Sequence, residues 1–167
     1  MKFVIPDVGD DIMYEYNCKM VRVVDGDTVD VDIDLGFGVW MRNQRIRMYG
    51  IDTPESRTSD PIEKIYGKAA TAFLVKWTNG GGLKLKTHKD GRGKFGRILG
   101  EIWCFDTNVN VKMIEEHHAV RYHGQSKQEI AEEHLRNRDK LSRTLDGIDM
   151  IRNDNRDDHM NRDNGSS

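Results

Sequence analysis

The sequence predicts an α+β protein, a small five-stranded barrel flanked by about three α-helices. Three observations carry this. Apolar and polar residues alternate over five strand-length runs, an apolar repeat every four residues stands between the third and fourth of them, and a capping signal opens a last helix.

The first strand covers Tyr14 to Val24. In the second, Val29, Val31, Ile33 and Leu35 alternate with Asp30, Asp32 and Asp34, so the aspartates are expected at solvent or at a rim. They do not form a calcium loop of the EF-hand type, which would need glycine at Leu35 and glutamate at Met41. Gly36 to Gly38 turn the chain, and Val39 to Tyr49 is the third strand, with Ile46 and Met48 facing opposite to Arg45 and Arg47. After a polar loop at Ser56 to Pro61, Glu63 to Trp77 reads as a helix whose stripe is Ile65, Ala69, Phe73 and Trp77. Gly80-Gly81-Gly82 ends it. Leu83 to His88 and Ile98 to Cys104 are the last strands, joined by the glycine-rich turn Asp90 to Gly96. Asn108 caps a short helix reaching His118, and Ser126 with Glu129 forms a capping box for a helix to about Leu141.

The 167 residues suit one domain. A polar leader is expected over 1–12, the folded domain over 13–141, and a charged, disordered tail over 142–167, where apolar residues are too few to offset ordering entropy. That tail carries four arginines and six aspartates, which accounts for the whole net charge of −2. The domain is therefore balanced, and any attraction for polynucleotide must be local. The segment 84–97 offers it, with Lys84, Lys86, Lys89, Arg92, Lys94 and Arg97 against Asp90 alone. Cys18 and Cys104 stand far apart, which excludes a Cys-x-x-Cys zinc site and makes a disulfide framework improbable. Asp7, Asp10 and Asp11 interrupt any signal-peptide core, and no apolar run approaches ~18 residues. A soluble chain with no membrane partner is expected, its compartment cytoplasmic or unassigned.

Chemistry concentrates in four short motifs: Asp25-Gly26-Asp27-Thr28, Arg47, Asp52-Thr53-Pro54-Glu55 and Lys94-Phe95-Gly96-Arg97. Asp27 and Asp52 each end a strand, so a barrel could bring both to one mouth as oxygen ligands for a hard cation. Asp25, in an Asp-Gly turn, is read as standing behind them. Arg47 and Arg97 can grip a phosphate through planar, charge-assisted forks. Carboxylates sharing a cation beside two such arginines are what metal-assisted phosphodiester cleavage needs. His117, His118 and His123 cluster in sequence, but adjacent helical histidines diverge by about 100° and rarely share an ion, so they are read as helix-end and loop residues.

These motifs, with Glu63-Lys64-x-Tyr66-Gly67, resemble the staphylococcal nuclease (thermonuclease) family over roughly Met20 to Leu141. The resemblance implies an OB-type barrel and a calcium-dependent nuclease acting on DNA and/or RNA, giving 3′-phosphate ends, with Ca2+ as cofactor; separately, a monomer is expected. It further implies the Thr53 carbonyl as a third metal ligand and Glu55 as the general base that directs water at phosphorus. Glu55, with an ordinary pKa near ~4.3, is ionised at neutral pH. Lys94 and Phe95 fall among substrate contacts. Phe95 stands where the family often has tyrosine, so its ring can stack but cannot donate to phosphate. The pair of tyrosines that can line the family's nucleotide pocket is not reproduced, and Tyr122 is the nearest candidate. The alternative is a nucleic-acid-binding module that keeps the barrel without catalysis.

Overall fold

The computed structural model describes residues 14–92 and 97–144. The leader at 1–12, the tail from 145 onward, and Lys94 and Phe95 lie outside the described residues. The chain runs β1 (Tyr14–Asp25), β2 (Thr28–Asp34), β3 (Trp40–Met48), β4 (Ile51–Asp52), α1 (Pro61–Thr78), β5 (Leu83–Arg92), β6 (Ile98–Cys104), β7 (Thr107–Asn108), α2 (Val109–Glu115), β8 (Val120–Arg121) and α3 (Lys127–Ser142).

Strands β3, β2, β1, β5 and β6 lie side by side, and a parallel pairing of β3 with β6 closes them into a five-stranded barrel. This is the OB-type α+β fold that the sequence predicts. The two-residue strands β7 and β8 carry no period to read in the sequence, and β4 shows there only through Asp52, read as a strand end. Thr28 is paired with Arg47, and Arg47 in turn with Leu99. That register sets the β1–β2 turn, the end of β3 and the start of β6 at one mouth. Val29, Val31, Ile46, Leu85 and Ile102 point inward and are fully buried. Burying side chains of this size stabilises by roughly 1.5–3 kcal/mol each before conformational entropy is counted.

Helix α1 begins two residues earlier than the sequence reading because Asp60 caps it. Asp60 Oδ1 accepts from the N–H groups of Ile62 (2.9 Å) and Glu63 (3.2 Å), and Pro61 needs no partner at the first helical position. Its buried face also differs from the predicted stripe. Of the predicted stripe Ala69 is buried and Phe73 and Trp77 pack against the core, but Ala70 and Leu74 are the helix residues fully buried in it. Small residues let the helix axis approach, and the large rings cover the edge. Helix α2 stops before His118, since His117 takes a left-handed φ of 64° and the N–H groups of His118 and Ala119 both turn back to the Met113 carbonyl. The Ser126–Glu129 capping box at α3 is reciprocal, as expected.

Asp30 departs from the expected rim position. It is 3% exposed, bridged by Arg22 (2.7 Å) and Arg45 (2.8 Å), whose side chains are themselves largely exposed. The two arginines cover the carboxylate at the barrel surface and hold its pKa below the usual range, chiefly through the Arg45 hydrogen bond. No helix among the described residues is long and apolar enough to cross a membrane.

Candidate active site

The mouth of the barrel gathers one acid from each of the first and third motifs, Asp27 and Asp52, around one guanidinium. Asp27 leads into β2 and Asp52 ends β4, which is held in place by antiparallel pairing with β8, Asp52 opposite Val120. Arg47 Nη1 lies 3.2 Å from Asp27 Oδ2, and Nη2 lies 3.6 Å from Asp52 Oδ1. The same guanidinium donates to the carbonyls of Asp27 (3.4 Å) and Met48 (3.2 Å). Asp27 is pinned from its other sides by the Thr28 hydroxyl (2.9 Å) and the Thr53 N–H (3.3 Å).

Glu55 follows on an exposed loop, and its N–H donates to Glu63 Oε1 at 3.3 Å. Asp25 sits behind the site, accepting from Gly26 N–H (3.1 Å) and the Thr71 hydroxyl (3.5 Å). Arg97 is half-buried immediately before β6, two residues ahead of Leu99, the register partner of Arg47. Tyr122 is 47% exposed, its N–H bonded to the Gly50 carbonyl at 2.8 Å just before β4.

Glu63 and Gly67 have a physical reason that periodicity does not show. A side chain at Gly67 would run into the backbone of Glu55, and one at Gly26 would meet Ala70 Cβ at 2.8 Å and Thr53 Oγ1 at 2.9 Å. Helix α1 thus presses directly on the two loops that carry the acids. Gly67→Ala is expected to cost about 1–3 kcal/mol and to displace Glu55. A denaturant melt and a turnover assay check this, and wild-type values in both would refute the close approach.

The electrostatics are those of a corner with too many acids. Burial raises the Asp27 pKa, Arg47 and the Thr28 hydroxyl oppose the rise, and the Asp52 charge adds to it. Burial also raises Glu55, followed by the charges of Asp25, Asp27, Glu63 and Asp52. Among the described residues, no three His, Cys, Asp or Glu side chains are grouped to hold a metal. The fit to a hard cation is therefore a sparse one: two carboxylates in a corner where further acids add negative charge, leaving the other positions to backbone oxygen, water and phosphate. Calcium, which takes six to eight oxygens in loose geometry, tolerates such a set.

The comparison with known families decides the affiliation. The family model described as staphylococcal nuclease homologue matches residues 45–145. The chain belongs to that family. It is 35% identical over 96 residues to a thermonuclease of Staphylococcus intermedius, covering 57% of this chain and 53% of that protein. It is 33% identical over 103 residues to a thermonuclease of Staphylococcus hyicus, covering 61% and 57%. The endonuclease YncB of Bacillus subtilis is 28% identical over 101 residues, covering 60% and 45%. The chain spans about half the length of these curated relatives.

One contact of the candidate site was missed in the sequence. His134, on α3, brings Nε2 to 2.7 Å from Asp52 Oδ2. An ionised carboxylate only accepts, so the ring donates from Nε2. Eighty-two positions separate the two residues, and only the docking of α3 brings them together. His118 is buried against Phe73, with ring centroids 4.5 Å apart, and burial pushes its pKa down to about 4.

Proposed function

We propose that this protein is a calcium-dependent nuclease that hydrolyses phosphodiester bonds of DNA and/or RNA by in-line attack of water, leaving 3′-phosphate and 5′-hydroxyl ends. The observation that carries this is the Asp27–Arg47–Asp52 arrangement with Glu55 beside it, in a chain of the nuclease family. Asp27, Asp52 and the Thr53 carbonyl would hold the cation, with Asp25 behind them. When bound, the cation would offset the carboxylates and polarise a phosphate oxygen.

The chain's own residues supply the rest. Glu55 takes a proton from water as the water oxygen bonds to phosphorus. Arg47 and Arg97 donate to the phosphate oxygens, where negative charge grows in the transition state, so their effect falls on the barrier more than on ground-state binding. The phosphorus–O5′ bond breaks, the departing oxygen takes a proton from solvent to become the 5′-hydroxyl, and protonated Glu55 returns its proton to solvent. The test is digestion of single-stranded DNA and RNA with calcium, with magnesium or with chelator, followed by analysis of the product ends. Cleavage in calcium with 3′-phosphate products is expected. Strand binding without cleavage in any cation, by folded protein, would favour the noncatalytic module.

His134 acts here through Asp52, fixing the orientation of a ligand carboxylate. His134→Leu is expected to raise the calcium needed for half-maximal activity about 10-fold or more, with His134→Gln restoring part of it. An unchanged calcium curve for His134→Leu would remove His134 from this role.

A further inference from the structure

Beyond the phosphate mouth, a second feature sits on the same outer face of the barrel. Arg47, on β3, and Tyr49, one residue past its end, share one side of the pleat, since Ile46 and Met48 point into the core and the Tyr49 N–H continues the pairing to the Gly100 carbonyl. Along the parallel neighbour β6, Arg97, Leu99 and Glu101 share that side, because Ile102 is buried inward. Two residues of strand advance about 7 Å, so Tyr49 stands one pleat beyond Arg47.

Tyr49 is stacked on His88 across β6, with ring centroids 3.6 Å apart and planes 23° from parallel. The stack is fixed from beneath. Its backbone is held by Tyr49 N–H on the Gly100 carbonyl (2.8 Å) and by Asn110 Nδ2 on the Tyr49 carbonyl (2.9 Å). Asn110 is 3% exposed, and it also bonds the Gly100 carbonyl and the Ile102 N–H, so it cannot shift without breaking the barrel edge. On the His88 side, Glu101 Oε2 lies 3.6 Å from Nε2, and Glu101 Oε1 accepts from Asn108 Nδ2 at 2.7 Å. For all this support, 48% of Tyr49 remains exposed.

We infer that Tyr49, backed by His88, is a stacking platform for an unpaired base of the polynucleotide held at the Arg47–Arg97 mouth. The inference deepens the proposed nuclease reading and rests on it. A preorganised ring with an open side, one pleat beyond Arg47, suits a strand whose phosphate is clamped and whose neighbouring base can lie flat. Stacking of a base on an aromatic ring contributes about 1–3 kcal/mol and does not depend on which base it is. Bases in a duplex are already stacked on one another, so the platform favours single strands.

The test uses the full chain carrying Glu55→Gln, so that a labelled oligothymidylate survives in calcium, and follows binding by fluorescence anisotropy. Adding Tyr49→Ala is expected to weaken single-strand binding about 5- to 100-fold. Adding Tyr49→Trp should retain it, and Tyr49→Leu, which keeps bulk without a ring, should not. Equal affinity for the Ala, Leu and Trp proteins, all shown folded by melting, overturns the platform while leaving the nuclease reading intact. Failure of the Glu55→Gln protein itself to bind any strand overturns both.

Discussion

Glu55→Gln is expected to lower kcat by about 10²–10⁴-fold while leaving affinity for a single-stranded oligonucleotide unchanged. The amide keeps the size and the hydrogen-bonding reach of the side chain but cannot take a proton from water. The pH profile gives an independent check. Burial first, and then the charges of Asp25, Asp27, Glu63 and Asp52, raise the Glu55 pKa. A base acts only when ionised, so activity should fall as pH drops through that raised value, above the ordinary glutamate range. Raising calcium should move this limb to lower pH, because the cation offsets Asp27 and Asp52. A Gln variant that keeps both wild-type kcat and the acid limb would show that Glu55 is not the base.

Arg47→Ala should cost about 10²–10³-fold in kcat, the usual scale for removing one fixed donor from a developing anion. Arg47→Lys should recover little, since an ammonium keeps the charge and loses the fork. A stability effect of definite sign accompanies this. Asp27 already has a raised pKa, and Arg47 is the neighbour whose charge opposes the rise most. Without Arg47 the folded-state value climbs further. A carboxyl with a raised folded-state pKa holds its proton more tightly folded than unfolded. Stability is therefore lost as pH rises from the unfolded value through the folded one. In the absence of metal, the Ala protein should lose more stability relative to wild type near pH 7 than at pH 4. A deficit that is larger at pH 4, together with near-wild-type turnover, would take Arg47 out of the site.

The barrel and the site were legible in the sequence to different depths. Period-2 runs located all five barrel strands because each buries one face, as Val29, Val31, Ile46, Leu85 and Ile102 show. The motifs named Asp27, Arg47 and Asp52, and the structure brings both aspartates onto the Arg47 guanidinium. Asp30 misled because alternation assigns a side of the sheet and says nothing about what covers that side. The α1 stripe shifted because apolar spacing favours large residues, whereas Gly67 and Ala70 make the close contact with the loops. His134 and the Tyr49–His88 stack left no local signal at all. Each is a pairing across distant strands or helices, fixed only when the barrel closes and α3 docks.

The central claim is that the Asp27–Asp52 mouth is a cation site, and calorimetric titration of calcium into the folded protein, beside Asp52→Asn, tests it most directly. One binding event in the wild type, lost or strongly weakened in the Asn protein at unchanged melting temperature, is expected. Equal calcium binding by both proteins, or none by the wild type, would place the catalytic cation elsewhere and contradict the proposed mechanism.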